Sequence, residues 1–307
     1  MKFHRHHIIS MKDFTRDEID YILDRAGKLE SLAKSGRSDI LSGKILALLF
    51  YEPSTRTRMS FETAMLRLGG NVLNLGSKDT SSVIKGETLA DTIRVISTYS
   101  DAIVLRHTSE GAAQMAMEFS SVPVINGGDG AGHHPTQTLL DLYTIKRESR
   151  LEHPDIAIVG DLKYGRTVHS LTYALSLYGA NITFVSPQQL KMPDQIIDDL
   201  KARGAHVNET ENFDKVLNNI DVLYMTRIQK ERFPDPTEYK KVANAYKITN
   251  KQLVNVRPNM IIMHPLPRIN EIDSSVDNTD HARYFQQSFY GVPIRMALLT
   301  IVMEADI

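Results

Sequence analysis

Cysteine is absent from the 307 residues. That removes disulfides, thiolate zinc sites and cysteine nucleophiles together. An excess of either charge is lacking too. Lys and Arg number 36 against 37 Asp and Glu, a net charge of −1 at pH 7. General affinity for nucleic acid is therefore not expected, and any anion binding must be local. No run approaches the ~18 apolar residues of a membrane span. Residues 1–10 hold three histidines and no long apolar core, so no secretory signal is expected there. These absences point to a soluble, cytoplasmic, globular protein. At 42% hydrophobic residues the chain can bury real cores, and its length favours two domains.

What is present centres on Ser54-Thr55-Arg56-Thr57-Arg58. An apolar run, Ile45 to Phe50, and a turn at Glu52-Pro53 precede it. An amphipathic segment, Met59 to Leu68, follows and stops at Gly69-Gly70. The pattern reads as strand, turn, helix, with Ser54 as N-cap. Three hydroxyls, two guanidiniums and unpaired backbone N–H groups would gather at one positive helix end, which suits a dianion such as phosphate. The plainer reading is a capped surface helix with solvated arginines. Two arginines in a first turn oppose the helix dipole, which counts against it unless an anion offsets the cost.

Thr15 to Ala33 reads as a helix with Asp17-Glu18 in its first turn. His4, His6 and His7 suggest either a metal site or, more simply, solvated terminal histidines. A strand is expected over Asn71–Leu75, then an aperiodic polar loop, Gly76 to Gly86, with Ser81 and Lys85. Helix is expected over Glu87–Tyr99 and strand over Ala102–Leu105, ending in Arg106-His107. Ser109 is expected to start another helix, and Pro123–Ile125 to form a strand. A loop over Gly127–Gln137 carries four glycines and His134-Pro135-Thr136-Gln137, and Pro135 opens a helix. Alternating strand and helix predicts an α/β fold with a parallel, doubly wound sheet, whose ligands bind beyond the carboxyl ends of the strands. Ser54–Arg58, Arg106-His107 and His134–Gln137 all follow strands, which places them on one edge.

After a connection at Arg150–Pro154 a second series begins. The strand Ile156–Val159 leads into Gly160-Asp161-Leu162-Lys163-Tyr164-Gly165-Arg166-Thr167 and a helix to Tyr178. This nearly matches the P-loop spacing, but Arg166 stands in the lysine's place. It lacks the dinucleotide glycine pattern, and Ser186-Pro187 stand where a ribose-binding acid belongs. Nucleotide binding is therefore disfavoured, and an arginine at a helix N-terminus suits a carboxylate. Strands are expected at Ala205–Val207, Asp221–Met225 and Met260–Met263. Arg227 lies in a charged loop after the second of these. His264-Pro265-Leu266-Pro267-Arg268 forms a rigid turn after the third. An apolar helix, Tyr290 to Glu304, closes the chain.

These motifs, in this order and over essentially the whole chain, closely resemble the catalytic chains of the aspartate carbamoyltransferases. Ser54–Arg58 and His134–Gln137 resemble runs shared with ornithine carbamoyltransferases. Gly160–Ser170, Tyr224–Arg232 and His264–Arg268 are similar to the aspartate branch. The resemblance implies two doubly wound domains. Residues 1–134 plus 288–307 would bind carbamoyl phosphate and residues 135–287 would bind L-aspartate. Ser54, Thr55, Arg56 and Thr57 would hold the phosphate. Thr57, Arg106 and His134 would face the carbonyl oxygen and Gln137 the amide. Ser81 and Lys85 would come from a neighbouring subunit of a homotrimer. Arg166 and Arg227 would grip the aspartate carboxylates, helped by Gln229 and Lys85. The backbone at Pro265 and Leu266 would meet amino and amide groups, and the bond before Pro267 would be cis. The implied catalytic set is Arg56, Thr57, Lys85, Arg106 and His134. No cofactor or metal is implied for this chain, and a zinc-binding regulatory chain is an open partner.

The implied chemistry suits the residues. Amine attack on carbamoyl phosphate needs a polarised carbonyl, a stabilised leaving phosphate and a held amine. The alternative is a carbamoyltransferase for another amino acid such as ornithine. Ornithine enzymes carry a cysteine in the final turn, where this chain has Pro265, and two clamp arginines disfavour a cationic side chain. A non-catalytic anion-binding scaffold is the reading from another class, and it has no need of Arg56, Arg106, His134, Arg166 and Arg227 together. Arg58 falls on the next position around the helix and is expected to hold an ion pair.

Overall fold

The computed structural model describes residues 6–75, 86–130, 132–228, 237, 239, 242 and 245–307. The chain divides into two compact units, Met1–Leu140 with Phe289–Ile307, and Asp141–Ser288.

The first unit opens with α1 (Arg16–Ser35), started by a capping box: Thr15 Oγ1 accepts from Glu18 N, and Glu18 returns a carboxylate to Thr15 N. Such a cap contributes about 1 kcal/mol. Ile19, Ile22, Leu23, Ala26 and Leu29 form its buried face, where each large aliphatic contributes roughly 1.5–3 kcal/mol by leaving water. Then come β1 (Ile45–Phe50), α2 (Thr55–Arg67), β2 (Asn71–Asn74), α3 (Leu89–Ser97), β3 (Ala102–His107), α4 (Ala112–Phe119), β4 (Val124–Asp129) and α5 (Pro135–Glu148). The sheet is parallel in the order β2-β1-β3-β4. Leu46 and Leu48 are as buried as Ala47 and Leu49. Both faces of β1 are covered, as a parallel sheet requires. On one face Ala47, Leu49, Ile103 and Leu105 pack with Ile93 of α3 and Ala113 and Ala116 of α4.

The second unit carries β5 (Asp155–Val159), α6 (Arg166–Ser176), β6 (Asn181–Val185), α7 (Asp194–Ala202), β7 (His206–Thr210), α8 (Phe213–Leu217), β8 (Val222–Met225) and β9 (Ile261–Met263). Its sheet is parallel in the order β7-β6-β5-β8-β9. The last helix, α9 (Tyr284–Val302), and α5 both contain the division between the units.

Several elements differ from expectation. Arg106 and His107 belong to β3 itself, not to a loop. Gly127, Gly128 and Asp129 continue β4: the register shifts through a bulge at the two glycines, and Asp129 pairs again with His107 of β3. Ser109 lies in a turn, and α4 starts three residues later from the left-handed Gly111. Residues 7–9 were not expected to pair. Ile8 bridges Ile125, and Val124 N donates to His7 Nδ1 at 3.1 Å. Burial first, and His6 second, hold the His7 ring below the usual histidine range. That ring serves the backbone; His4 lies outside the described residues.

At the amino edge of the second sheet, Asp221 is 3% exposed. It accepts from Asp155 N at 3.0 Å, Arg150 Nε at 2.8 Å and Arg257 at 2.7 Å. Burial pushes its carboxyl up, but these donors together hold it below the usual value. A depressed folded pKa means the contribution is present above the unfolded value and is lost as pH falls through the folded one. Asp221→Asn should therefore cost about 2 kcal/mol at pH 7. In urea unfolding, the gap to the unsubstituted chain should shrink below about pH 4.

Candidate active site

In a doubly wound sheet the crevice forms where strand order reverses, because the loops there leave in opposite directions. The first unit reverses between β1 and β3, the second between β5 and β8. The anion-binding candidates stand at these two places.

In the first unit, the turn after β1 delivers Ser54 and the start of α2. Ser54 occupies the N-cap position with extended backbone, but its hydroxyl makes no capping bond. This corrects the capping expectation: the side chain leaves the helix N–H groups to another acceptor. No acid sits in the first turn of α2, so nothing in that turn offsets the positive end. Thr55 and Arg56 are exposed, Ser54 is half-buried and Thr57 is buried. Arg58 faces Glu62 at 3.8 Å on the exposed face, in the expected ion pair.

Next along the edge, Phe50 is in register with Arg106, and Tyr51 N donates to the Arg106 carbonyl at 2.8 Å. The Arg106 guanidinium is buried and held twice, by Glu52 at 2.9 Å and by the Gly127 carbonyl at 3.0 Å. Its Nε is buried and finds no acceptor among the described residues. A buried donor left so costs about 1–3 kcal/mol. Glu52 was not anticipated as a site residue; the only signal was an acid in the turn just before the anion motif.

His134 is built in from β4. Asn126 is fully buried and donates to Asp129 Oδ1, Ile9 O and His133 O, and Asp129 accepts from His133 N at 2.9 Å and Gly111 N at 3.0 Å. Gly130 must be glycine. Its φ is +47°, and a Cβ would stand 2.7 Å from Glu110 N. Burial holds His133 below the usual histidine range against the pull of Asp129. The His134 carbonyl accepts from Gln137 N and Thr138 N at the start of α5. The edge thus gathers Thr57, Arg106 and His134, all buried polar side chains from the ends of β1, β3 and β4, with Gln137 half-buried behind them.

In the second unit, Thr226 joins the two switch strands. Its hydroxyl donates to Val159 O at 3.2 Å and accepts from Asp161 N at 3.1 Å. Gly160 has φ +121°, and a Cβ there would lie 2.4 Å from Thr226 O. Only glycine allows this approach. Asp161 turns the loop by accepting from Tyr164 N at 3.0 Å. Arg166 is the first residue of α6, which has no acid in its first turn, and Arg227 directly follows Thr226. Both are half-buried.

The turn after β9 lies on the neighbouring strand. Leu266 N donates to His264 Nδ1 at 2.8 Å, so Nδ1 carries no proton and Nε2–H donates to Glu271 at 2.8 Å. Burial raises the Glu271 carboxyl, but the His264 bond and nearby backbone N–H groups together hold it low. The Leu266–Pro267 bond is cis, where the resemblance implied it. With Leu266 N–H already engaged, this turn offers a substrate its carbonyls. Ser81, Lys85 and Gln229 lie outside the described residues.

The family model "Aspartate/ornithine carbamoyltransferase, carbamoyl-P binding domain" matches residues 6–147, and "Aspartate/ornithine carbamoyltransferase, Asp/Orn binding domain" matches residues 152–302. The chain belongs to the aspartate/ornithine carbamoyltransferase family. Within it, the chain is 66% identical over 306 residues to the aspartate carbamoyltransferase catalytic subunit of Methanococcoides burtonii, covering 99% of each chain. The fold matches the catalytic subunit of M. jannaschii aspartate transcarbamoylase with a TM-score of 0.91 at 58% identity, covering 98% of each chain. It also matches Trypanosoma cruzi aspartate transcarbamoylase in complex with carbamoyl phosphate and aspartate, with a TM-score of 0.90 at 40% identity and 95% coverage of each. The two carbamoyltransferase family models meet between residues 147 and 152, and the compact units divide at 140/141, inside α5.

Proposed function

We propose that this chain transfers the carbamoyl group of carbamoyl phosphate to the amino group of L-aspartate, giving N-carbamoyl-L-aspartate and phosphate, a step of pyrimidine synthesis. One observation carries the reading. At the switch point of each unit a strand leads into a helix with an arginine in its first turn, α2 and α6, in a chain similar throughout to aspartate carbamoyltransferases.

The first unit binds carbamoyl phosphate. Ser54, Thr55, Arg56 and Thr57 take the phosphate at the start of α2, where the dipole and N–H groups that the Ser54 side chain does not cap favour a dianion. Thr57, Arg106 and His134 face the carbonyl oxygen and Gln137 the amide. As the amine attacks, that oxygen gains charge. Donors already buried and oriented stabilise it without reorganising. The second unit binds aspartate, with Arg166 and Arg227 on its carboxylates and the Pro265 and Leu266 carbonyls accepting from its amine. The C–N bond forms as the C–O bond to phosphate breaks, and the amine's proton leaves on the phosphate. Gln229 assists at the aspartate carboxylates. Lys85, also an aspartate ligand, and Ser81 complete the site from a neighbouring subunit of a homotrimer. The relatives' designation as catalytic subunits supports a further partner chain. No helix among the described residues is long and apolar enough to cross a membrane.

Purified protein given carbamoyl phosphate with either aspartate or ornithine tests the activity. Carbamoyl aspartate and phosphate should appear in equal amounts, and turnover of ornithine alone would overturn the assignment. Shared sites predict complementation. A Lys85→Ala chain and an Arg56→Ala chain, each nearly inactive, should regain activity when unfolded and refolded together, because mixed trimers contain one kind of site with neither substitution. No recovery in trimers shown to be mixed would refute sharing.

A further inference from the structure

Four polar side chains of the second unit are exposed by 1% or less: Asp141 on α5, Tyr224 on β8, His264 after β9 and Gln287 on α9. They are joined in one chain of hydrogen bonds. Tyr224 Oη donates to Asp141 Oδ2 at 2.8 Å, and Gln287 Nε2 donates to Asp141 Oδ1 at 2.7 Å. His264 N donates to Gln287 Oε1 at 2.8 Å, His264 Nε2 donates to Glu271 Oε1 at 2.8 Å, and Leu266 N donates to His264 Nδ1. Glu271 Oε2 then accepts from Ile269 N and Asn270 N.

The directions at Gln287 and His264 are forced. A backbone N–H can only donate, so the Gln287 oxygen must face His264 and its amide N–H must face Asp141. The same logic sets the His264 tautomer. Burying so many polar groups is costly unless all are satisfied, and a satisfied network specifies one arrangement. The arrangement it specifies is that of the turn carrying Pro265 and Leu266. It also grips β8 at Tyr224, three residues before Arg227. None of Asp141, Glu271 and Gln287 figures among the substrate-contacting residues.

We propose that Asp141, Gln287 and Glu271 are positioning residues for aspartate, acting through His264 on the Pro265 and Leu266 carbonyls. This rests on the reading that the turn contacts the amine of aspartate. A relay that only stabilised the core would lower stability and active fraction. One that positions the turn changes the KM for aspartate and leaves that for carbamoyl phosphate alone.

Gln287→Glu separates the two. The introduced carboxyl keeps the acceptor for His264 N, but when ionised it cannot donate to Asp141. Two buried carboxylates at that distance share one proton, which raises the pKa of the pair. At about pH 8.5 the aspartate KM should rise about tenfold over the unsubstituted enzyme, with kcat within about threefold. Near pH 6 a proton replaces the lost amide hydrogen, and the KM ratio should fall back toward one. A ratio that does not vary with pH, or an unchanged KM, would overturn the proposal. Should this variant not fold, Glu271→Gln decides alone, since its amide cannot accept on both sides. It should raise the aspartate KM about tenfold at unchanged carbamoyl phosphate KM, and failure to do so refutes the relay. Arg166→Ala is the control. If it raises the aspartate KM while both relay variants leave it alone, only the relay falls. If it too has no effect, the aspartate half-site itself is misassigned.

Discussion

Arg106→Ala should lower kcat by about 10²- to 10³-fold, the loss typical of removing one donor from a developing oxyanion. The size follows from how the side chain is held. Glu52 and the Gly127 carbonyl fix two corners of the guanidinium, and Nε is buried without an acceptor among the described residues. Little reorganisation is left to do as charge develops. Arg106→Lys keeps the charge but cannot hold both partners in one plane, so it should recover less than about a tenth of the lost activity. Stability should fall by about 1–3 kcal/mol, because the buried Gly127 carbonyl loses its donor, whereas Glu52 is partly exposed and can be solvated once its partner is gone. Steady-state rates at saturating aspartate, with urea unfolding of the same preparations, check both statements. A kcat unchanged in Arg106→Ala would remove Arg106 from the reaction.

Much of this was legible before any coordinates. The alternation of strand and helix implied parallel sheets, and the carboxyl-end rule put Ser54, Arg106 and His134 on one edge and Arg166 and Arg227 on another. The misses have physical causes. Gly127-Gly128-Asp129 reads as loop because glycine and aspartate disfavour strands. It stays in β4 because Asp129 pairs again with His107 after a bulge, and Gly127 suits the bulge because a Cβ there would stand 3.2 Å from Val104 Cγ1. Ser54 reads as a cap from its type and position, but whether a hydroxyl caps a helix depends on a rotamer no pattern encodes. Glu52 and the Asp141–Gln287–His264 chain were invisible for another reason. They join residues 54, 146 and 23 positions apart, and no local periodicity reports such pairings.

Arg166→Ala should lower kcat/KM for aspartate about 10²-fold and leave the carbamoyl phosphate KM unchanged, and Arg227→Ala should do likewise. A charge-assisted bond to a carboxylate is worth about 1.5–3 kcal/mol. Both arginines also begin from favourable settings. Arg166 sits at a helix start with no acid in its first turn, where the dipole adds to its charge. Arg227 follows Thr226, whose bonds to Val159 and Asp161 tie β8 to β5. Which arginine meets which carboxylate can be read from a cycle that changes enzyme and substrate together. Asparagine keeps the α-carboxylate of aspartate and replaces the β-carboxylate with an amide. In the unsubstituted enzyme that exchange should cost at least tenfold in acceptor affinity, measured by competition. In the variant lacking the arginine for the β-carboxylate the cost should nearly vanish. In the other variant it should persist in full, because the remaining pair is intact. Equal costs in all three proteins would mean that neither guanidinium distinguishes the β-carboxylate, and the preference for aspartate over ornithine would then need another source.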